Sequence, residues 1–285
     1  MNTLSIVVAV ALYLILAPIF GGLIAGVDRI ITARMQGRVG PPLLQPFYDV
    51  LKLWRKQNIA VNQHQTFYVI GFLIFTVISG CIFFSGGNLL LSIFALTLAG
   101  IFLIVGAYST YSPYAYIGAE RELVQMMAYE PMVLLTVVAM YMATDSFNVA
   151  DIAAFDGTLF LSLPATFIGF LFILTVKLRK SPFDISMSHH AHQEIVRGLV
   201  TEFSGKELAM VEIAHWYENI LLLGIIGLFF ASNPILAIAV IVVVYFLEIF
   251  VDNISARLKW QHALRSAWIV AFVLGAGNIL YLFIK

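Results

Sequence analysis

Residues 234–252 read PILAIAVIVVVYFLEIFVD. Until Asp252 a single acidic residue, Glu248, interrupts an apolar run close to the roughly 20 residues that a helix needs to cross a bilayer. The Asn233-Pro234 pair in front of it is a turn signal. The same reading carried outward gives seven more spans, at 3–26, 66–85, 89–108, 122–143, 159–178, 207–231 and 263–284. The spacers at 86–88 and 231–234 are short, and Gly86-Gly87 marks the first as a helical-hairpin turn. The expected fold is an all-α integral membrane protein with eight transmembrane helices, a single membrane domain over residues 1–285.

Composition points the same way. Of the 285 residues, 61% are hydrophobic and 11% charged, with mean hydropathy +0.94. A soluble domain carries about 25% charged residues. The 16 basic and 16 acidic residues cancel, and no basic stripe suggests nucleic acid. The one cysteine, Cys81, lies in an apolar span, where it reads as a small buried hydrophobe. It cannot form an intrachain disulfide or supply the cysteine set of an iron–sulfur cluster. No basic residue precedes Asp28-Arg29, so the first segment lacks the start of a secretory signal and reads as a true span.

The basic residues sort to one side. The loops after spans 1, 3, 5 and 7, with their flanks, hold 15 of the 16. Cytoplasmic loops carry such an excess, so these loops are expected in the cytoplasm of a cell-membrane protein, with both termini outside. Two further segments read as interfacial helices: residues 43–57, LLQPFYDVLKLWRKQ, are amphipathic with Trp54 among Lys and Arg, and 147–155 lie on the other side.

Ionisable residues within the spans are costly and default to function or pairing. Glu130 precedes Pro131, and Glu248 lies deep in the seventh span with Asp252 one turn on. Glu207, Glu212, His215 and Glu218 fall within an arc of roughly 140° at about 100° per residue. Carboxyls lifted in pKa by apolar surroundings, with a histidine among them, suit proton relay. Interhelical hydrogen bonding is the structural alternative for each of them.

The polar maximum of the chain is the loop RKSPFDISMSHHAHQEIVRGLVTEFSGKE at 179–207. Read with RMQGRVGPPLLQPFYDVLK at 34–52 and RELVQMMAYE at 121–130, it resembles the complex I subunit 1 (NuoH/ND1) family over most of the chain. Respiratory members carry an acidic PFD-x-PEAE pattern in this loop. Here SHHAHQE intervenes between Asp184 and Glu194, with His192 where a carboxylate is expected. That variant is similar to the NuoH/ND1-like membrane subunit of Ech-type energy-converting NiFe hydrogenases.

The resemblance implies a non-redox subunit of a ferredoxin-dependent, hydrogen-evolving oxidoreductase complex. It implies no catalytic residue and no cofactor in this chain. The NiFe centre and iron–sulfur clusters belong to hydrogenase large and small subunits and iron–sulfur subunits of a soluble arm. An antiporter-like membrane subunit would carry the main ion channel. By the same resemblance Arg34, Arg38, Gly40, Pro41, Gln45, Asp49, Lys52, Arg121, Glu122 and Gln125 lie at the docking surface of the arm. Gly37 and Gly40 allow close backbone approach there. Asp184, His192, Glu194 and Glu202 form a titratable cluster, which Glu130, Glu207 and Glu212 continue into the membrane. His189, His190 and His192 are not expected to bind metal, since adjacent histidines rarely converge on one ion. The alternatives are the quinone-chamber subunit of a complex I-type NADH:quinone oxidoreductase, a stand-alone ion transporter, and a passive anchor.

Overall fold

A computed structural model gives the fold and describes residues 3–57, 62, 64–186 and 197–284. The chain is all-α and multi-pass. Helix α1 (Thr3–Met35) is followed by α2 (Gln45–Arg55), the hairpin α3 (Gln65–Phe84) and α4 (Leu89–Tyr108), and α5 (Pro113–Thr144). Two short helices, α6 (Val149–Ala153) and α7 (Leu159–Ser162), lead to α8 (Pro164–Lys177). A 3₁₀ turn at Gly198–Val200 precedes α9 (Gly205–Leu228) and α10 (Pro234–Ile254). The last rod runs from α11 (Trp260–Val270) through a π-helical turn (Ala271–Ala276) into α12 (Gly277–Ile284).

Seven of these rods are long and apolar enough to span a bilayer. The expected fifth span, 159–178, is corrected: it divides into α7 and α8, leaving a helix of 14 residues. The cause is Pro164, which disfavours a helical conformation at the residue before it. Leu163 accordingly sits at φ −125° and ψ 43°, and α8 starts on the proline. At 1.5 Å per residue α8 rises only about 21 Å, short of the roughly 30 Å hydrocarbon core.

Helices α1 and α5 overrun their expected ends at the charged side of the bundle. Each is more than 30 residues long and carries polar turns beyond its apolar run. Pro18 and Pro131 lie inside them without ending them, as membrane helices allow. The α3–α4 hairpin is closed by Gly86 at φ 78° and by Asn88, whose side chain accepts from the Leu91 N–H. Between these two helices Ser79 and Ser92 exchange buried hydrogen bonds at 2.6 and 2.8 Å. The interfacial helices expected over 43–57 and 147–155 appear as α2 and α6.

Helix α9 is the axis. Its apolar window is 61% buried, against 17% for α10. It packs on α1, α2, α3 and α10. The main apolar core lies between α5, α8, α9 and the terminal rod, with Phe167, Phe170, Phe229 and Met132 at its centre. The outer faces of α1 and α10 stay apolar and exposed, as at Val7, Ile15, Ile238 and Phe246, and suit lipid contact.

Candidate functional site

The loop after α8 brings cations inward. Lys177, Arg179 and Lys180 close the helix and start the polar stretch, and all three side chains are largely buried. Arg179 adopts a left-handed backbone, φ 53°, which turns the chain there. Its guanidinium donates to Glu122 of α5, Nη2 at 2.7 Å and Nε at 3.0 Å from Oε1. The Ser186 hydroxyl donates to the other oxygen of the same carboxylate. Lys177 Nζ lies 3.2 Å from Glu218 of α9 and donates to the Tyr129 hydroxyl at 3.0 Å.

His215 joins the two pairs. Its Nδ1 is 3.1 Å from Glu218 and 3.2 Å from Arg179. A ring nitrogen either donates to the carboxylate or accepts from the guanidinium, so Nδ1 serves one partner at a time. Burial opposes the charge on Arg179, but the Glu122 and Glu218 carboxylates outweigh it and hold the guanidinium protonated. Two carboxylates thus face two cations in a largely buried setting, where such pairs are stable only if fully partnered.

A second set adjoins the first. Lys180 Nζ is 2.8 Å from Asp28 of α1 and 4.0 Å from Asp252 at the end of α10. The Tyr245 hydroxyl donates to Asp28, and the Ser181 N–H donates to Asp252 at 2.8 Å. Further along the loop Arg257 pairs with Asp184 at 3.1 Å. Gln125 donates to the Phe183 carbonyl, and Arg121 to that of Ile185 at 3.4 Å. The segment 177–186 is thereby tied to α1, α5, α9 and α10 at once.

Two cavities meet beside this network. One, of about 220 Å³, is lined by Asp28, Arg179, Lys180, His215, Glu218 and Asp252. The other, of about 300 Å³, lies between α1, α2 and α9 and is lined by Arg29, Asp49, Lys52, Lys56 and Arg197. Ala25, Glu212 and Trp216 line both. Glu212 therefore stands at the partition between a buried ionic cluster and a basic chamber.

The NADH dehydrogenase family profile matches residues 6–283. The chain belongs to the NADH dehydrogenase family, whose subunit 1 (NuoH/ND1) type it shares. It is 29% identical to Hydrogenase-4 component C of Escherichia coli over 70% of this chain and 66% of that protein. It is 26% identical to a NuoH-type subunit of the NADH-quinone oxidoreductase of Syntrophotalea carbinolica, over 97% of this chain and 92% of the relative. A chain of the membrane-bound sulfane sulfur reductase, an archaeal respiratory membrane complex, superposes with a TM-score of 0.85 at 25% identity. That superposition covers 97% of this chain and 99% of the other.

This NADH dehydrogenase-family structure divides the expected site residues. Glu212, His215, Glu218 and Asp184 join the central cluster. Glu207 turns away to α3, where its carboxylate accepts from Thr66 at 2.5 Å, and the Glu202 carbonyl accepts from Gln65. Glu130 accepts from Thr97 of α4 at 2.7 Å. Glu248 is buried beside Thr175, and among the described residues its Oε2 has no hydrogen-bond partner. His189, His190, His192 and Glu194 lie outside the described residues.

Arg34, Arg38 and Lys52 are exposed, and Gly40, Pro41, Gln45 and Asp49 half-buried, around a loop that needs Gly37 at φ 69°. A Cβ on Gly40 would come within 3.0 Å of the Ile30 backbone, so this loop hugs α1. Glu122 and Gln125 are corrected: both are buried, 4% and 3% exposed, and belong to the interior network instead of a docking surface. Sequence reasoning missed Lys177, Arg179 and Lys180 as site residues, along with Asp28 and Tyr129. The available signal was three cations within four residues directly after an apolar span.

Proposed function

We propose that this chain is the membrane-anchor and ion-coupling subunit of a group 4 energy-converting NiFe hydrogenase. It docks a soluble, ferredoxin-oxidising and hydrogen-evolving arm on its cytoplasmic side. It links that redox reaction to translocation of protons or sodium ions. The observation that carries this reading is that the loop after α8 sends Lys177, Arg179 and Lys180 into a buried ionic cluster tied to α1, α5 and α9. A charge change in a docked arm can bias such a cluster, because the low interior dielectric transmits it with little screening.

The similarity to Hydrogenase-4 component C and the SHHAHQE pattern support the hydrogenase branch. Asp184, Glu212, His215 and Glu218 are the coupling residues of this reading. Glu130 and Glu207, bonded to Thr97 of α4 and Thr66 of α3, are its further carriers. Arg34, Arg38 and Lys52 contact the arm.

A second reading, the quinone-chamber subunit of an NADH:quinone oxidoreductase, is favoured by the chamber between α1, α2 and α9. Its roughly 300 Å³ reaches the lower end of small-molecule sites. The likeness to the NADH-quinone oxidoreductase relative points the same way.

Purification from native membranes in gentle detergent, with metal analysis and methyl-viologen-driven hydrogen evolution, separates the readings. Nickel, iron and hydrogen evolution are expected. Iron without nickel, with quinone-dependent oxidoreductase activity, replaces the first reading by the second. A chain that purifies alone and metal-free, under conditions in which a complex survives, overturns both.

A further inference from the structure

A cavity of about 760 Å³ opens where α10 ends and α11 begins, at the charged end of the bundle. Both helices belong to rods long and apolar enough to cross a bilayer. The 255–259 linker between them therefore lies at the level of lipid headgroups. It is pinned to the loop after α8: the Leu258 N–H donates to the Pro182 carbonyl at 3.0 Å, and Arg257 Nε lies 3.1 Å from Asp184. Gln36, just past α1, donates to Asn253 of α10 at 3.4 Å and closes another wall.

Charge in this cavity is unbalanced. Arg121, Arg257 and Lys259 line it with one carboxylate, Asp252. Asp184 answers Arg257 from the loop. Asp252 accepts from the Ser181 N–H at 2.8 Å. Three cations against these two carboxylates leave one positive charge. The exposed Lys259 is its natural bearer, since it has no ion pair among the described residues.

The surroundings suit lipid. Trp260 is 43% exposed beside Lys259, and tryptophan favours the boundary between hydrocarbon and water. Helix α10 packs on α9 and α1, and α11 on α5 and α8, so two helices consecutive in the chain lean on different neighbours. Apolar side chains stay exposed on both, Phe250 and Ile254 on α10 and Trp268 and Ile269 on α11. A cationic cavity at headgroup level between two apolar flanks matches an amphiphile with an anionic head.

We propose that this cavity binds the headgroup of an anionic phospholipid, a phosphodiester with one net negative charge, whose chains lie against α10 and α11. Basic pockets between membrane helices take such headgroups in general. Lys259 supplies the uncompensated charge, and Trp260 sits beside the head. A zwitterionic lipid brings its own cation to the same residues and is disfavoured. The site does not depend on the hydrogenase reading.

The test uses the intact membrane complex in nanodiscs of phosphatidylcholine, titrated with phosphatidylglycerol brominated high on its chains. Bromine quenches nearby tryptophan, and the difference between wild type and Trp260→Phe isolates the Trp260 signal. Phosphatidylglycerol is expected to quench Trp260 at lower mole fraction than brominated phosphatidylcholine does. Lys259→Gln is expected to weaken that preference about fivefold, the worth of one Lys or Arg beside an anionic surface. Arg55→Gln, an exposed cation on α2, is the control and should leave it unchanged. In wild type the preference should shrink between about 0.1 and 1 M salt, as the Debye length falls from about 10 to about 3 Å. Equal quenching by the two lipids overturns the proposal, as does a preference that ignores both Lys259→Gln and salt. Reversal of the quenching by soluble glycerol phosphate would assign the cavity to a free phosphate instead. A Trp260 that neither lipid quenches would mean that a protein segment, not lipid, fills the cavity.

Discussion

The guanidinium of Arg179 lies side-on to the carboxylate of Glu122, with Nη2 and Nε both on Oε1 at 2.7 and 3.0 Å. Fifty-seven positions separate the two residues, and the contact joins α5 to the loop after α8. Removing one partner of a buried pair leaves the other charge unpaired, at about 3–5 kcal/mol. Glu122→Ala is expected to destabilise the complex by that order, read as a fall in Tm in detergent. Glu122→Leu combined with Arg179→Met is expected to regain much of the loss, since it removes both charges together. Equal Tm for wild type and Glu122→Ala would mean that Glu218 and His215 suffice to hold Arg179.

Glu212 lines both the ionic cavity and the basic chamber. A carboxylate at that partition suits passage of a cation between them, so Glu212→Gln is expected to uncouple. On the proposed hydrogenase reading, hydrogen evolution with an artificial donor should persist, while ion uptake by sealed vesicles falls by an order of magnitude. Parallel loss of both activities would assign Glu212 to structure instead. Unchanged ion uptake per hydrogen would remove it from the path.

The helix limits show what a sequence makes legible in a membrane chain. Residues 89–108 match α4 end to end, because Gly86, Gly87 and Asn88 fix its start chemically. Hydropathy cut the charged ends of α1 and α5 short by about nine residues each. Backbone hydrogen bonding carries a helix through Asp28, Arg29 or Glu122 as readily as through leucine. The docking-surface reading of Glu122 came from the family resemblance, whereas α5 carries the residue into the interior. The grouping of Glu212, His215 and Glu218 on α9 was readable from its period, since spacing along one helix is local, but Glu207 turns to α3 instead of joining them. The cations of the cluster were not readable, because Lys177 and Glu218 meet only through tertiary packing.

Asp49 of α2 answers to pH in a way whose sign is fixed. Burial pushes its carboxyl up, but hydrogen bonds from Arg29 and Gln45 and the charge of Arg29 outweigh it and hold it below the usual carboxylate range. A depressed folded value stabilises above the unfolded value, near pH 3.9. That contribution is lost as pH falls through the lower folded value. Both side chains are about half exposed, so the effect is small. Asp49→Asn is expected to lower Tm slightly at pH 7, and the difference from wild type should close on acidification. A difference that grows in acid would contradict the pairing with Arg29.

Gly21 tests the packing that separates the two cavities. A Cβ there would come within 2.6 Å of the Trp216 Cβ and 2.7 Å of its carbonyl oxygen, so α1 and α9 touch backbone to backbone. Trp216 cannot retreat freely, because the Phe47 ring of α2 sits 5.2 Å from its own. Gly21→Ala is expected to push α1 off α9 at about 1–3 kcal/mol, the usual cost of overpacking. Gly277→Ala is the control: nothing lies within 4 Å of its added carbon, and alanine is the better helix former by about 1 kcal/mol. The first substitution should lower Tm and the second leave or raise it. A Gly21→Ala protein as stable as wild type would show that α1 has room to slide along α9, and the partition at Trp216 and Glu212 would then be adjustable instead of fixed.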